Sequence, residues 1–311
     1  MAHPSAAAGS QASRLARDLV LAGPGSSRIP KLVYGTAWKE ARTADLVYRA
    51  LRIGFRGIDT AAQPKHYDER AVGDGVRRAV AQGIVGRADL FIQTKFTAPG
   101  GQNHLTPYDL GAPLQDKVRQ SVQSSLQNFA LEGQEPYLDS VVLHSPMDTV
   151  EETMTVWQAL ESLTPDKVRN LGISNTTLAI LETLLERGTV KPAVVQNRFH
   201  ARTGYEADLR RFCREHSIIF QSFWTLTANG PLARSEPVQR VARGADVQLE
   251  AAYYALVLGL DNVVVLDGTT SEAHMKEDLE GVERIGVWAE GEGSAEWEAA
   301  LASFKSLVGD T

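Results

Sequence analysis

The chain has a single cysteine, Cys213, and no long uninterrupted apolar run. A lone cysteine excludes an internal disulfide, and no cysteine–histidine cluster has the spacing of a structural zinc site. We therefore expect no metal and a reducing, cytoplasmic environment. No apolar stretch approaches the roughly 20 residues that a membrane-spanning helix needs, and the longest, around residues 251–260, is expected to be a core helix.

The chain also lacks an excess of positive charge. Lys and Arg total 32 against 38 Asp and Glu, which gives a formal net charge of -6. A protein that binds nucleic acid needs a basic stripe for the phosphates, and none appears. A hydrophobic content of 43% and a charged content of 23% are typical of a globular protein. The expected partner is a small molecule, and nothing in the composition indicates the oligomeric state.

Residues 1–28 differ in composition from the rest of the chain, being rich in Ala, Ser and Gly with Asp18 as their only carboxylate. Arg14 and Arg17 beside leucines are compatible with a transit peptide. We favour a flexible N-terminal extension over 1–28, or a segment packed beneath the domain that follows. Residues 29–311 are then one domain, closed by a C-terminal helix at Ser294 to Leu307.

From Lys31 onward, apolar strand-like runs alternate with amphipathic helical ones, which indicates an α/β protein with a parallel sheet. Three of the strand-like runs end in groups that carry chemistry: Asp59, Lys95 and His144. Tyr67 lies a short distance beyond the first of them. In a parallel α/β barrel the carboxyl ends of the strands meet on one face, where active sites of that fold lie.

These four residues have the properties of a proton-donating site. A free tyrosine, with a pKa near ~10, is too weak an acid at neutral pH unless something stabilises its anion. An ammonium group such as that of Lys95 does so, and a carboxylate such as Asp59 keeps the ammonium charged and oriented. Each residue also has an ordinary structural interpretation, for instance His144 as a core histidine, but their joint occurrence at successive strand ends favours a site.

Four runs around these residues resemble the signature segments of the aldo-keto reductases, in the family's order. They are Gly57-Ile58-Asp59-Thr60-Ala61, Ile92-Gln93-Thr94-Lys95, Val142-Leu143-His144-Ser145-Pro146 and Leu171-Gly172-Ile173-Ser174-Asn175. The resemblance covers roughly residues 30 to 284. It implies a single-domain (β/α)8 TIM barrel that reduces an aldehyde or ketone to an alcohol with a nicotinamide cofactor. Tyr67 would be the acid, Lys95 and Asp59 its tuning pair, and His144 and Trp38 part of the substrate pocket.

The same resemblance implies which residues hold the nicotinamide half of the cofactor. They are Thr36, Asp59, Ser174, Asn175, Gln196 and Ser222. The chain departs from the family at two points. Residues 60–66 make the gap between Asp59 and Tyr67 longer than the usual Asp-x4-Tyr, and Gln221-Ser222-Phe223-Trp224 replaces a Tyr-Ser pair whose Tyr stacks on the nicotinamide. Gln221, Phe223 and Trp224 all remain candidates for that stacking contact.

The segment from Asp267 to Ser271 leads into a helix, whose amino end offers unpaired N–H groups to a phosphate. Where family members have a Lys and an Arg that grip the 2'-phosphate of NADP, this chain has Gly268 and His274. Thr269, Thr270, Lys276 and His274 remain available to that phosphate. Gly268, Glu277 and Asp278 complete the cofactor-binding set that the resemblance implies for this loop and helix. The resemblance favours NADP(H) over NAD(H).

Two other functions fit parts of the pattern. One is a cofactor-binding regulatory or scaffold protein of the same fold with little turnover. The other is a barrel enzyme that uses Lys95 as a Schiff-base amine, which leaves Asp59 and Tyr67 without a role. The aromatic residues Trp38, Phe96, Phe199 and Trp224 suggest an apolar substrate pocket, although packing within the barrel would account for each of them equally. The polar loop 96–113 is expected over the mouth of the barrel, close to the substrate. The identity of the substrate and the physiological direction are not predicted.

Overall fold

A closed barrel of eight parallel strands forms the body of the protein, in a computed structural model that describes residues 13–25 and 27–310. The strands follow one another around the barrel in chain order, and the last, β10 (Val263–Asp267), pairs with both β3 (Leu32–Gly35) and β9 (Ile219–Phe223). The predicted (β/α)8 TIM barrel is therefore confirmed. The strands are β3 (Leu32–Gly35), β4 (Gly57–Asp59), β5 (Phe91–Phe96), β6 (Ser140–Leu143), β7 (Leu171–Ser174), β8 (Val194–Arg198), β9 (Ile219–Phe223) and β10 (Val263–Asp267).

Helices surround the barrel and connect its strands. Several begin at a side chain that accepts a hydrogen bond from a backbone N–H of the first turn, as Asp68, Thr149, Thr177 and Ser271 do. The helices are α1 (Thr43–Ile53), α2 (Glu69–Ala81), α3 (Leu114–Asn128), α4 (Val150–Glu161), α5 (Leu178–Arg187), α6 (Ala207–Glu215), α7 (Glu236–Gly244), α8 (Leu249–Leu258), α9 (Glu272–Glu290) and α10 (Ser294–Leu307).

The amino end of the barrel is covered by a short hairpin of β1 (Leu19–Val20) and β2 (Arg28–Ile29). Leu21 and Ile29 are buried there in one apolar cluster with Val33, Phe91, Ala193, Val194, Ile219 and Val264. Residues 1–12, which make up much of the predicted extension, lie outside the described residues, so the domain boundary at 28 stays a prediction. The covered end leaves the opposite, carboxyl end for function.

Close packing holds the outer helices in place. A Cβ at Gly73 in α2 would lie only 1.9 Å from the carbonyl oxygen of Asn128 at the end of α3, so only glycine fits at this crossing. The apolar run around residues 251–260 lies in and just beyond α8, whose residues from Ala251 to Leu258 are all buried, in agreement with the expected core helix. Within residues 13–25 and 27–310, no helix is both long and apolar enough to cross a membrane.

Candidate active site

The carboxyl end of the barrel brings Asp59 and Lys95 into direct contact. Asp59 is the last residue of β4, and Lys95 lies near the end of the neighbouring strand β5. The Lys95 Nζ donates to Asp59 Oδ2 at 2.6 Å and to the Thr60 carbonyl at 2.7 Å. The two side chains are 1% and 4% exposed, so the ion pair is held in a dry interior where attraction between charges is strong.

Tyr67 reaches this pair in spite of the long gap that precedes it. A turn centred on Gln63 folds the extra residues back, since the Gln63 carbonyl accepts from the N–H groups of His66 and Tyr67, each at 3.1 Å. The Gln63 side chain anchors the turn to the Gly101 carbonyl at 2.7 Å. The Lys95 Nζ then lies 5.2 Å from the centroid of the Tyr67 ring.

The start of α2 fixes Tyr67 from its other side. Asp68 caps the helix by accepting from the N–H of Ala71 at 2.9 Å. The next residue, Glu69, is buried and accepts from the side chains of Thr94, Ser125 and Asn128. Burial raises the pKa of Glu69 above its ordinary value, and these three donors oppose that shift. A polar anchor therefore ties the segment that carries Tyr67 to β5 and α3.

His144 completes the group directly after β6. Its ring packs edge-on against Tyr67, with 6.2 Å between centroids and 70° between planes. Its Nδ1 lies 2.7 Å from Thr97 Oγ1. Burial, with the positive charges of Lys95 and His66, lowers the pKa of His144 to about 3, so the imidazole is neutral at physiological pH. All four predicted catalytic residues are thus brought together.

Two opposing effects act on the Tyr67 phenol. Burial raises the pKa of Tyr67 above its ordinary value, the Lys95 ammonium lowers it, and the Asp59 carboxylate adds a smaller increase. Burial is the larger effect, so the phenol keeps its proton in this structure. The ammonium acts in the direction that proton donation requires, because it favours the anion that would be left behind.

Beneath this group, three buried glutamines fill the barrel interior. Gln93 and Gln196 both donate to Asp59 Oδ1, at 2.7 and 3.0 Å. Both also donate to Gln221 Oε1, and the Gln221 amide nitrogen donates back to Gln93 at 3.0 Å. Asp59 therefore accepts from two amides through one oxygen and from Lys95 through the other. This network was not predicted; it buries Gln221 completely, in direct contact with Gln196.

A cavity of about 850 Å³ opens above the network. Its size suits an extended ligand better than a small metabolite. Most of the predicted site residues line it: Thr36, Trp38, Asp59, Tyr67, His144, Ser174, Asn175, Gln196, Gly268, Thr269, His274, Glu277 and Asp278. Asn175 Nδ2 donates to the His144 carbonyl at 2.9 Å and to Ser174 Oγ at 3.2 Å, which joins the predicted carboxamide-binding residues to the catalytic group.

Three predicted residues do not line this cavity. Lys95 is buried and does not reach the cavity surface, but it contacts Asp59 and lies beside the Tyr67 ring, and both of these residues line the cavity. Ser222 is fully buried, and its Oγ pairs with Thr225 Oγ1 at 2.5 Å. The Thr270 carbonyl accepts from Arg42 at 3.3 Å on the outer side of the loop after β10.

The aromatic residues divide into two groups. Trp38 and Trp224 line the cavity and are 62% and 52% exposed, and Phe223 lines it beside them. Phe96 and Phe199 are buried in the hydrophobic core instead, so they do not form a pocket wall. The loop 96–113 does not cover this cavity. Its residues 105–107 line a smaller cavity of about 580 Å³ on the other side of Tyr67.

The end of the cavity near α9 is acidic, which was not predicted. Burial and then the neighbouring Asp267 carboxylate raise the pKa of Asp278 to about 8, and burial raises the pKa of Asp267 as well. The two carboxyl groups are close enough to share a proton, which we assign to Asp278. Lys39, whose Nζ donates to the Gly268 carbonyl, lies beside them.

The comparisons with known proteins agree with this architecture. The model of the Aldo/keto reductase family matches residues 31–290. The chain is 28% identical over 198 residues to an NAD(P)H-dependent D-xylose reductase of Pachysolen tannophilus, covering 56% of each chain. It is 30% identical to an aldo-keto reductase of Mycolicibacterium paratuberculosis, covering 76% of this chain and 75% of the other.

Solved structures of aldo-keto reductases also superpose on this chain. A crystal structure of a Bombyx mori aldo-keto reductase in complex with NADP superposes with a TM-score of 0.68 at 21% identity, covering 88% of this chain and 92% of that one. Among the sequence relatives, the match to the xylose reductase spans little more than half of that protein's length.

Proposed function

Because the chain belongs to the aldo/keto reductase family, we propose that it is an NAD(P)H-dependent enzyme that reduces an aldehyde or ketone to an alcohol. The observation that carries the proposal is the buried Asp59–Lys95 ion pair beside Tyr67, at the floor of a cavity large enough for a dinucleotide. The reverse oxidation of an alcohol uses the same groups.

The residues of the cavity fit such a cofactor. Ser174 and Asn175 provide a hydroxyl and an amide near the acid, which are the groups that bind a carboxamide. Phe223 and Trp224 offer aromatic faces nearby, and we propose that one of them stacks on the ring. When bound, the nicotinamide supplies the hydride. The residues of the chain orient the substrate and move the proton.

We propose that Tyr67 donates that proton to the carbonyl oxygen. The Lys95 ammonium stabilises the resulting phenolate, and Asp59 keeps the ammonium charged and in place. His144 is neutral, and Thr97 occupies its Nδ1, so Nε2 is the ring nitrogen that is free to orient the substrate oxygen. A neutral imidazole at this point does not compete with Tyr67 as the acid.

For the cofactor we propose NADP(H) in preference to NAD(H). Thr269, His274 and Lys39 are available to a 2'-phosphate at the α9 end of the cavity. The carboxyls of Asp267 and Asp278 oppose an anion there, and the proton that they share reduces their negative charge at neutral pH. Equilibrium binding of NADPH and NADH to the full chain tests this preference, and tighter binding of NADH would reverse it.

The activity is tested by the loss of NADPH absorbance with a panel of aldehydes. Tyr67→Phe removes only the phenolic oxygen, and we expect kcat to fall by about 10²–10⁴-fold while the cofactor still binds. Tyr48→Phe is the matched control, because the Tyr48 hydroxyl bonds Gln82 at an exposed position far from the cavity. Full activity in Tyr67→Phe would contradict the assignment of the acid. Cofactor binding without turnover of any aldehyde would favour the regulatory alternative.

A further inference from the structure

Arg198 is a cation in the cavity that has no anionic partner among the residues that the structure describes. It is the last residue of β8, lines the cavity and is partly buried. Within the described ranges 13–25 and 27–310, none of the ion pairs includes it, whereas the guanidinium groups of Arg87, Arg169, Arg210 and Arg214 all contact carboxylates. Its Nε is out of contact with solvent and has no hydrogen-bond partner in the part of the chain that the structure describes.

Aromatic rings hold this guanidinium in place. Its central carbon lies 4.0 Å from the centroid of the Trp224 ring and 5.9 Å from that of Phe223. A cation over an aromatic face is attracted by the ring, but the face satisfies none of the guanidinium's N–H donors. A buried donor without an acceptor costs free energy. A ligand that supplies acceptors here therefore gains more binding free energy than it would from a solvated arginine.

The position of Arg198 relative to the acid follows from the strand. Residues two apart in a strand point to the same face, so Arg198 and Gln196 share the face that looks into the cavity. Gln196 bonds Asp59 directly. With a rise of about 3.3 Å per residue, the Arg198 Cα lies roughly 6–7 Å from the Gln196 Cα, toward the mouth.

The mouth also presents two tryptophans in a conformation that bulky residues rarely adopt. Trp38 and Trp224 have φ of 61° and 55°, in the left-handed region, and both indoles are more than half exposed. Such strain persists only where the surrounding structure enforces it, and it is concentrated at ligand-binding sites. The exposed rings suit a flat, aromatic ligand.

From these observations we propose that Arg198 forms an anion subsite, and that the substrates of this enzyme are carbonyl compounds carrying a carboxylate on an aromatic body. The inference rests on the proposed function. The carboxylate would accept the free guanidinium N–H groups while the carbonyl, one layer deeper, faces Tyr67. A charge-assisted pair of this kind changes affinity by roughly 10- to 100-fold.

Three aldehydes separate charge from shape: 4-carboxybenzaldehyde, its uncharged isostere 4-carbamoylbenzaldehyde, and benzaldehyde. We expect kcat/KM of the native enzyme to be highest for the carboxylate, and its advantage over the carboxamide to fall by roughly 10- to 100-fold in Arg198→Gln. Most of the change should appear in KM. Arg198→Lys should restore part of the advantage. Arg202→Gln, at an exposed position that does not line the cavity, should keep it.

Two results would overturn the inference. One is an unchanged ratio between carboxylate and carboxamide in Arg198→Gln. The other is a lower affinity of Arg198→Gln for both NADPH and NADH, together with an equal fall in kcat/KM for all three aldehydes. That result would mean that Arg198 binds a phosphate of the cofactor. Failure of the native enzyme to reduce any of the three would count against the proposed function as well. Reduction of benzaldehyde with no preference for the carboxylate would count against the subsite alone.

Discussion

The carboxyl pair at the α9 end of the cavity makes the stability of this protein depend on pH. Burial and the Asp267 carboxylate raise the pKa of Asp278 from its ordinary value of 3.8 to about 8. Between these two values the native state binds one more proton than the unfolded chain. The free energy of unfolding therefore falls as the pH rises through this window, by at most about 1.4 kcal/mol per pH unit.

Asp278→Asn removes this contribution, because an amide does not ionise yet can still donate a hydrogen bond to Asp267. Between about pH 6.5 and about pH 8.5, the native protein should lose roughly 2 kcal/mol that the variant keeps. His144 acts in the opposite direction at lower pH. Its pKa is lowered to about 3, so its contribution to stability is complete once the pH exceeds the ordinary value of 6.5. Above pH 6.5, His144 therefore adds nothing to the pH dependence of the unfolding free energy, and comparison with the variant removes the contribution of groups other than the carboxyl pair.

The measurement is thermal unfolding of both proteins across that pH range, where roughly 2 kcal/mol corresponds to a Tm difference of a few degrees in a protein of this size. Glu280→Gln is the matched control, since it removes an exposed carboxylate of α9 that does not line the cavity. The Tm of Asp278→Asn should rise relative to the native protein as the pH increases, and that of Glu280→Gln should not. Parallel curves for Asp278→Asn and the native protein would refute the shared proton.

Three further predictions concern the ion pair, the cofactor and the helix crossing. Lys95→Met leaves the buried Asp59 carboxylate unpaired and should cost about 3–5 kcal/mol of stability. The double variant Lys95→Met/Asp59→Asn should recover much of the lost stability, measured by thermal unfolding, but none of the activity. A double variant as unstable as Lys95→Met alone would contradict the ion-pair argument. Above pH 8, loss of the proton between Asp267 and Asp278 should lower the affinity for NADPH relative to NADH by about three- to tenfold in binding titrations, and an unchanged ratio would argue against a 2'-phosphate near the pair. Gly73→Ala should cost about 1–3 kcal/mol, as measured by thermal unfolding, because its Cβ collides with the backbone of α3; a neutral effect would mean that the two helices separate easily.

Much of the fold and of the clustering of Asp59, Lys95, Tyr67 and His144 was predictable, because both have local signals. The alternation of apolar strands and amphipathic helices predicted the parallel sheet, and the strand ends at Asp59, Lys95 and His144 predicted the common face. The α10 boundaries, Ser294–Leu307, agree with the predicted helix. Tyr67 was identified by its place shortly after Asp59, although the turn that returns it to the site depends on Gln63 contacting a distant loop.

The remainder of the site depends on contacts between residues far apart in the chain, which leave no local pattern. Gln93 and Gln221 are separated by 128 positions and appear as unremarkable polar residues in apolar strands. Whether a carboxylate reaches Arg198 is decided by the folded structure, and none of those in residues 13–25 and 27–310 forms an ion pair with it. Phe96 and Phe199 were expected in the pocket because they lie near strand ends, but residue type alone does not indicate whether a ring faces the cavity or the core.

The three interior glutamines constrain how this active site can diverge. Each amide has one donor end and one acceptor end, and the bonds among them fix which way every one of them points. Turning a single amide around would set two nitrogens or two oxygens against each other in a region that water does not reach. We expect tolerated changes at positions 93, 196 and 221 to arise in combination, so that related enzymes carry the whole set or a different filling altogether.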